Sequence, residues 1–441
     1  MTARSLIPVV LTAALLGTGS SAAAECGTYS GRGCAPAAKR VDVALPSFSN
    51  PTEISNPLFP ISRLHSAVLL GNVDGVPLRV ETTLLPGTQT IDLGDGREVQ
   101  ALTSQYVAFL GGRIEEVALD WYAQADDGSV WYLGEDVFNY AKGAVADTDG
   151  TWRAGREGPA AMIMPGNPQV GNVFRPENVP GIVFEEVRVK ATGRTVRGPR
   201  GPVQGAIVTD ELHLDGTHED KVFAPGYGEF STGSGGDLEA LALAVPTDAL
   251  PGPTPAGLDR LGVGAIGMLG SARAEDWRAS AATLRRMKAA WRHVQEGQVP
   301  PMLEAQMSRG LRKLERAVRG HRPLRGALAA IDVAQAGLDL ELRHRPPVAV
   351  DLDRFDLWSS RVLVHAAARN RVAVTGDVAT LEWIRDRVAH VLDPDALREI
   401  DGRLKVLRRA ADGANLSAAA DHAARLAARM RDLAPPQGNL R

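Results

Sequence analysis

The chain lacks most of the signatures that announce a chemistry. It contains no G-x-S-x-G elbow, no P-loop and no H-E-x-x-H, so the familiar serine-hydrolase, nucleotide-phosphate and zinc-protease motifs are excluded. The Gly-Ser stretch at 231–236 has no strand-turn-helix context and is weak as a phosphate motif. Only two residues are cysteines, Cys26 and Cys34. A net charge of -3, with no basic stripe interleaved with aromatics, speaks against nucleic-acid partners. Beyond the N-terminus no run approaches about 18 consecutive apolar residues, so no transmembrane helix is expected. What is present is ordinary for a soluble globular protein: 44% hydrophobic and 23% charged residues. At 441 residues the chain is too long for one ordinary core, and two folded domains are the natural expectation.

The first residues read as an export signal. Arg4 supplies the positive end, residues 6–16 the apolar run, and Ala22, Ala23 and Ala24 the small residues before a cleavage point after Ala24. The expected location is therefore outside the cytoplasmic membrane: secreted, periplasmic or in the cell envelope. In that oxidising compartment Cys26 and Cys34 are expected to form one short-loop disulfide, which leaves no thiol nucleophile. The rival reading, a lipid anchor on Cys26, is disfavoured by Glu25, because lipoprotein processing wants a small residue there.

The expected fold class is α+β with two domains: an N-terminal antiparallel β half-barrel or sandwich followed by a C-terminal all-α helical bundle. After the leader at 1–24, residues 25–60 read as an extended lead-in. Strand signals follow at 66–70, 78–85, 100–110, 117–124, 130–140, 181–192, 203–214 and 220–223, within a β-domain at 61–247. Four prolines in 246–256 mark a stiff spacer, within a linker expected at 248–270. The period then changes from two to 3.6: Trp277, Leu284 and Trp291 mark one apolar stripe, Leu303, Met307 and Leu314 the next, and about seven helices are expected over 271–433, before a disordered tail at 434–441. Asp351 and Asp393 read as N-caps, with Pro394 at a first helical position.

The stretch 115–171 stands out, with three of the seven tryptophans and the clearest hairpin. With Asp127-Gly128 as a two-residue turn, Ala123 pairs with Tyr132, Tyr122 with Leu133, and Asp120 with Glu135. The strings SNPTEISNPLFP (49–60), DWYAQ (120–124) with VWYLGE (130–135), PGNPQVG (165–171) and APGYG (224–228) together resemble a widespread family of exported bacterial proteins without an assigned activity. The resemblance covers the β-domain, leaves the helical half unmatched and implies no catalytic residue. Many relatives carry a His just before the lysine preceding the Ala-Pro-Gly turn, whereas here Asp220 precedes Lys221 and His218 stands two places before Asp220.

The candidate site residues follow from these patterns. Asp120 and Glu135, with Asp136 nearby, put like charges face to face, which a bound cation, an arginine such as Arg113 or Arg153, or protonation of one carboxylate would relieve; a structural ion pair with arginine or a solvated sheet edge explains the pattern without a site. Trp121, Tyr122, Trp131 and Tyr132 place aromatics on both faces of the hairpin, where one face would suffice for a core. His213 and His218 flank Asp215 and Glu219 and form, with Asp120 and Glu135, the candidate metal ligands; a hairpin turn at Asp215-Gly216 explains the same pattern without a metal. Asp351, Asp353 and Asp356 read as helix-start acids, not a calcium loop. Asp339 is expected to pair with Arg343, Asp332 to face water or find Arg354 or Arg361, and His365 to sit hydrogen-bonded at a core edge. No cofactor is specified. The favoured reading is a non-catalytic binding or scaffold protein whose aromatic face takes a small apolar ligand or an envelope partner; the alternative is a metal-dependent or acid-base hydrolase using Asp120 and Glu135.

Overall fold

The computed structural model describes residues 34–179 and 181–435. The leader expected at 1–24, Cys26 and residues 436–441 lie outside the described residues. The architecture is an N-terminal antiparallel sheet followed by a C-terminal bundle of eight helices.

Two meanders make the sheet. The first runs through β1 (Ser66–Val73), β2 (Val76–Asp92), β3 (Glu98–Leu110), β4 (Arg113–Gln124), β5 (Val130–Ala141) and β6 (Ala144–Asp147). The short β7 (Trp152–Arg153) and β8 (Ala161–Met164) also pair along β5. The second meander comprises β9 (Val173–Val179), β10 (Val183–Gly198), β11 (Gly201–His213), β12 (His218–Ala224), β13 (Gly228–Gly233) and β14 (Leu238–Val245). Pairing of β14 with β1 joins them into one 14-stranded sheet. The sheet curls until β8 lies alongside β9, but no ladder links those two, so it is an open half-barrel rather than a closed one.

The eight helices are α1 (Ala256–Arg273), α2 (Trp277–Gln295), α3 (Pro301–Arg319), α4 (Pro323–Glu341), α5 (Pro347–Ala367), α6 (Arg371–Val388), α7 (Pro394–Asp412) and α8 (Leu416–Leu433). Prolines open α3, α4, α5 and α7, where a missing N–H costs nothing. Asp393 caps α7 as expected, accepting from Asp395 and Ala396 N–H. Asp351 does not cap: it lies inside α5 and pairs with Arg354 at 2.9 Å. The expected linker at 248–270 is largely α1, a helix masked in the sequence by its five glycines and by an exposed apolar side that includes Val263, 73% exposed. Those glycines let α1 lie close on α2: a Cβ on Gly264 would fall 2.5 Å from Met287 Cγ.

One face of the sheet is buried under the bundle. Val107, Phe109 and Val117 pack with Phe355, Trp358 and Val378, while Val68, Leu70 and Leu243 join the core built by α1 to α5. Crossing this seam is a buried ionic network. Arg79 on β2 holds Asp339 of α4 with two bonds of 2.7 Å and also Glu81 at 2.8 Å. Arg387 of α6 reaches Glu81 at 2.6 Å and Gln105 of β3 at 2.6 Å, and Arg354 of α5 binds Asp339 and Asp351 at 2.9 Å each. Asp339 therefore pairs with these arginines and not with Arg343, which donates to the Asp248 and Gln298 carbonyls. Asp332 pairs with Lys313 of α3 at 2.8 Å, and His365 is hydrogen-bonded to Asp377 at 2.6 Å.

Cys26 of the expected Cys26–Cys34 disulfide lies outside the described residues; no disulfide joins two described residues, and Cys34 is not a free thiol. Cys34 Sγ lies 2.9 Å from Arg175 Nη2, at the start of the extended segment that runs to the first strand.

Candidate functional site

The site begins with a register defect. Asp120 does pair with Glu135 across β4 and β5, but a bulge between that pair and the next moves the aromatic partners by one: Tyr122 opposes Tyr132, and Ala123 opposes Trp131. The extra residue lies on β5, where Gly134 has φ +125° and a Cβ would sit 2.4 Å from the Trp152 carbonyl oxygen. Side chains three apart on a regular strand point to opposite faces; the bulge puts Tyr132 and Glu135 on the same one. Tyr122 and Tyr132 consequently stack, with ring centroids 4.8 Å apart, and Tyr132 Oη donates to Asp120 Oδ1 at 2.8 Å.

That face is the concave side of the half-barrel. It encloses a cavity of about 310 Å³, continuous in its lining with a smaller one of about 110 Å³ through Tyr106, Asp120 and Tyr122. Eight carboxylates from seven strands line the larger cavity: Glu116 and Asp120 on β4, Glu135 on β5, Glu177 on β9, Glu185 on β10, Glu219 on β12, Glu229 on β13 and Glu239 on β14. Among the described residues, its only basic lining residues are Lys221 and His213. Among the described residues no arginine or lysine forms an ion pair with Asp120 or Glu135. The arginines considered from sequence are elsewhere: Arg153 stacks over Trp121 at 4.6 Å, and Arg113 stands exposed at the start of β4.

Crowding and shelter act on these acids together. Burial, and then the neighbouring Asp120, push Glu116 up to about 7. Burial likewise raises Asp120, against the Tyr132 hydrogen bond, and raises Glu135, with the Asp120 charge adding to it. Glu177 is raised by burial and by Glu185, and it is hydrogen-bonded to Glu135; two carboxyl groups so placed need a proton between them. At the other wall Lys221 Nζ lies 2.8 Å from Glu211 Oε2. His213 stands between two carboxylates, Nδ1 3.5 Å from Glu185 and Nε2 3.3 Å from Glu219. Burial opposes its charge, but the hydrogen bonds to Glu185 and Glu219 carry it up to about 11.

The candidate residues divide accordingly. Asp120, Glu135, Tyr122 and Tyr132 meet in the trough, whereas Trp121 and Trp131 are buried without lining it. His213 lines the opposite wall. His218, one position out of phase with Glu219, is 49% exposed and faces Asp210 at 3.2 Å, so the expected set of Asp120, Glu135, His213 and His218 does not converge. The set that does converge is Glu211, His213 and Glu219, whose donor atoms all lie within 4.8 Å of one another. Glu219 was already in view beside His218; the residues missed from sequence are Glu116, Glu177, Glu185, Glu211, Glu229 and Glu239. Their signal is alternation, as in Glu211-Leu212-His213, which ordinarily marks a solvent face.

The strings behind the family resemblance form a structural knot. Gln124 Oε1 accepts from the Ser55 and Asn56 N–H groups at 2.8 Å, and Asn56 Nδ2 donates to the Gly128 and Pro165 carbonyls at 3.0 Å. Gly226 N–H donates to the Pro57 carbonyl at 2.8 Å. These bonds tie the strings together, and the same strings carry Asp120, Tyr122, Tyr132 and Glu135 of the trough. No family model matches the chain, and no curated protein is significantly similar to it. No helix among the described residues is long and apolar enough to cross a membrane.

Proposed function

We propose that this is a non-catalytic binding protein, acting outside the cytoplasmic membrane, whose concave sheet face takes a small organic cation carrying amine or guanidine groups. The observation that carries this reading is the ring of eight carboxylates around a cavity with only two basic neighbours. Such a surface repels itself until a cation arrives, and the stacked Tyr122 and Tyr132 offer the aromatic wall that favours one. A purely apolar ligand would leave those carboxylates desolvated and unpaired, which is costly. The cavity of about 310 Å³ suits a small molecule.

Calorimetry with spermidine as the probe tests the reading. Binding at pH 8 that weakens at least about tenfold in Asp120→Asn/Glu135→Gln, equivalent to about 1.4 kcal/mol, supports it. Binding of the neutral dye Nile red with no response to spermidine overturns it in favour of an apolar ligand.

The facing, proton-holding pair Asp120 and Glu135 also favours a second reading, acid-base hydrolysis, because one carboxyl can hold a proton while its neighbour is ionised. Turnover of nitrophenyl ester, phosphate or glycoside probes that disappears in the same double variant would establish it, and equal rates in both proteins would dismiss it.

A further inference from the structure

Opposite the Asp120 and Glu135 wall, β10, β11 and β12 bring together a donor set of a different kind. Glu211 and His213 are two apart on β11 and point to the same side, and Glu219 pairs with Glu211 across the β11–β12 ladder. One ligand atom from each lies within 4.8 Å of the others, close enough for a single ion to be shared after small side-chain movements. We propose that Glu211, His213 Nε2 and Glu219 form a binding site for one divalent transition-metal ion of the zinc or manganese kind, set in the wall of the trough. This rests on the reading of the concave face as a binding surface.

Two further observations point to a ligand there. First, Glu185 faces His213 Nδ1 at 3.5 Å while Nε2 points toward Glu219. Without an ion both ring nitrogens face carboxylates; an ion at Nε2 takes the place of the proton there, and Glu185 behind Nδ1 then keeps the ring aimed at it, the outer arrangement that metal-binding histidines use. Glu185 is thus a positioning residue. Second, Glu211 is only 1% exposed, and its Oε2 meets the Lys221 ammonium at 2.8 Å without the alignment of a directed hydrogen bond. Glu211 is also hydrogen-bonded to Glu185, so it is a buried, oriented carboxylate, and a metal ion can take the place of the ammonium at its Oε2.

The donor types select the ion. An imidazole with two carboxylates fits zinc, manganese or iron better than calcium or magnesium, which favour oxygen-only sets. Three protein ligands leave at least one coordination position, and since His213 and Glu219 line the cavity while Glu211 lies behind them, that position faces the trough. A bound ion there would add positive charge to a wall that faces the ammonium-binding end, so metal and organic cation are expected to weaken one another.

The test uses the full mature chain, stripped with chelator and titrated with zinc chloride by calorimetry and native mass spectrometry, with Co(II) absorption as a geometric readout. The expected result is one ion per chain. His213→Ala and Glu219→Gln each lose zinc binding and the Co(II) bands, Glu185→Gln weakens it about tenfold or more, and His218→Ala leaves it unchanged. Thermal melts of the variants check folding, and the milder Glu219→Gln keeps the test valid if His213→Ala unfolds. Zinc binding that persists in both variants, or that follows His218, overturns the inference. Asp120→Asn/Glu135→Gln separates the two readings. Zinc retained with spermidine lost supports both, spermidine bound without zinc removes the metal site alone, and zinc bound at His213 without spermidine removes the organic-cation reading alone.

Discussion

At the seam between sheet and helices, three arginines, Arg79, Arg354 and Arg387, meet three carboxylates, Glu81, Asp339 and Asp351, at distances of 2.6 to 2.9 Å. On the opposite face of the same sheet, eight carboxylates share one lysine and one histidine. The second cluster is the less buried, with only Asp120 and Glu135 fully sheltered, and only the first is balanced. The difference shows in the direction of titration. Although burial opposes ionisation, the coulombic pull of the arginines holds Glu81 and Asp339 below the usual carboxylate range, whereas burial without such partners raises Glu116, Asp120, Glu135 and Glu177 above it. Balanced charge across two domains is architecture. Unbalanced charge around a cavity is capacity for a ligand.

The sharpest way to break this comparison is to unbalance the seam. Arg354→Met leaves Asp339 and Asp351 short of a partner in a buried place and is expected to cost about 3–5 kcal/mol in urea unfolding. A loss below about 1 kcal/mol would show that the network behaves like a surface pair and that the contrast is false. Next in size is Gly134→Ala, where positive φ and the Trp152 carbonyl at 2.4 Å oppose any Cβ. A destabilisation of about 1–3 kcal/mol is expected, together with a loss of spermidine affinity as Tyr132 shifts; unchanged affinity would show that the bulge does not shape the site.

The smallest effect is the most specific. Glu135→Gln removes one of two facing charges and should stabilise the ligand-free protein by up to about 1 kcal/mol at pH 8. The pH dependence follows from the same imbalance. Glu116, raised from 4.5 to about 7, binds a proton in the folded chain that the unfolded chain has already released, so its stabilising contribution falls as pH rises through that window. Glu81 and Asp339, being lowered, act with the opposite sign: their contribution is present above the ordinary carboxylate range and is lost as pH falls through their lowered values. Thermal melts should therefore weaken between pH 5 and pH 8, with Glu135→Gln flattening that slope and Arg354→Met leaving it in place. A slope untouched by Glu135→Gln would assign the pH response to another region.

How much was legible in the sequence depends on the range of the interaction involved. The Asp120–Glu135 pairing, the turn at Asp215-Gly216 and the Asp393 cap are decided by neighbours, and each is found where the local pattern puts it. The Tyr122–Tyr132 pairing was not legible, because nothing local distinguishes Gly134 as a bulge until Trp152 approaches from another strand. Nor was the pairing of Asp339, since Arg79 lies 260 residues away in the chain. Helix α1 was missed because its glycines read as loop until Met287 of α2 packs against them.

By itself the sequence determined the class of each half, through periods of two and 3.6, and the presence of acids at alternate strand positions. It could not say whether those acids faced bulk water or one another. That was decided by the curl of the sheet, which turns an alternating, outwardly ordinary polar face into the inside of a trough and brings Glu177, His213 and Glu239 round to Asp120. Curvature sums small twists over many strands and depends on bulges fixed by distant contacts, so the trough belongs to the tertiary structure alone.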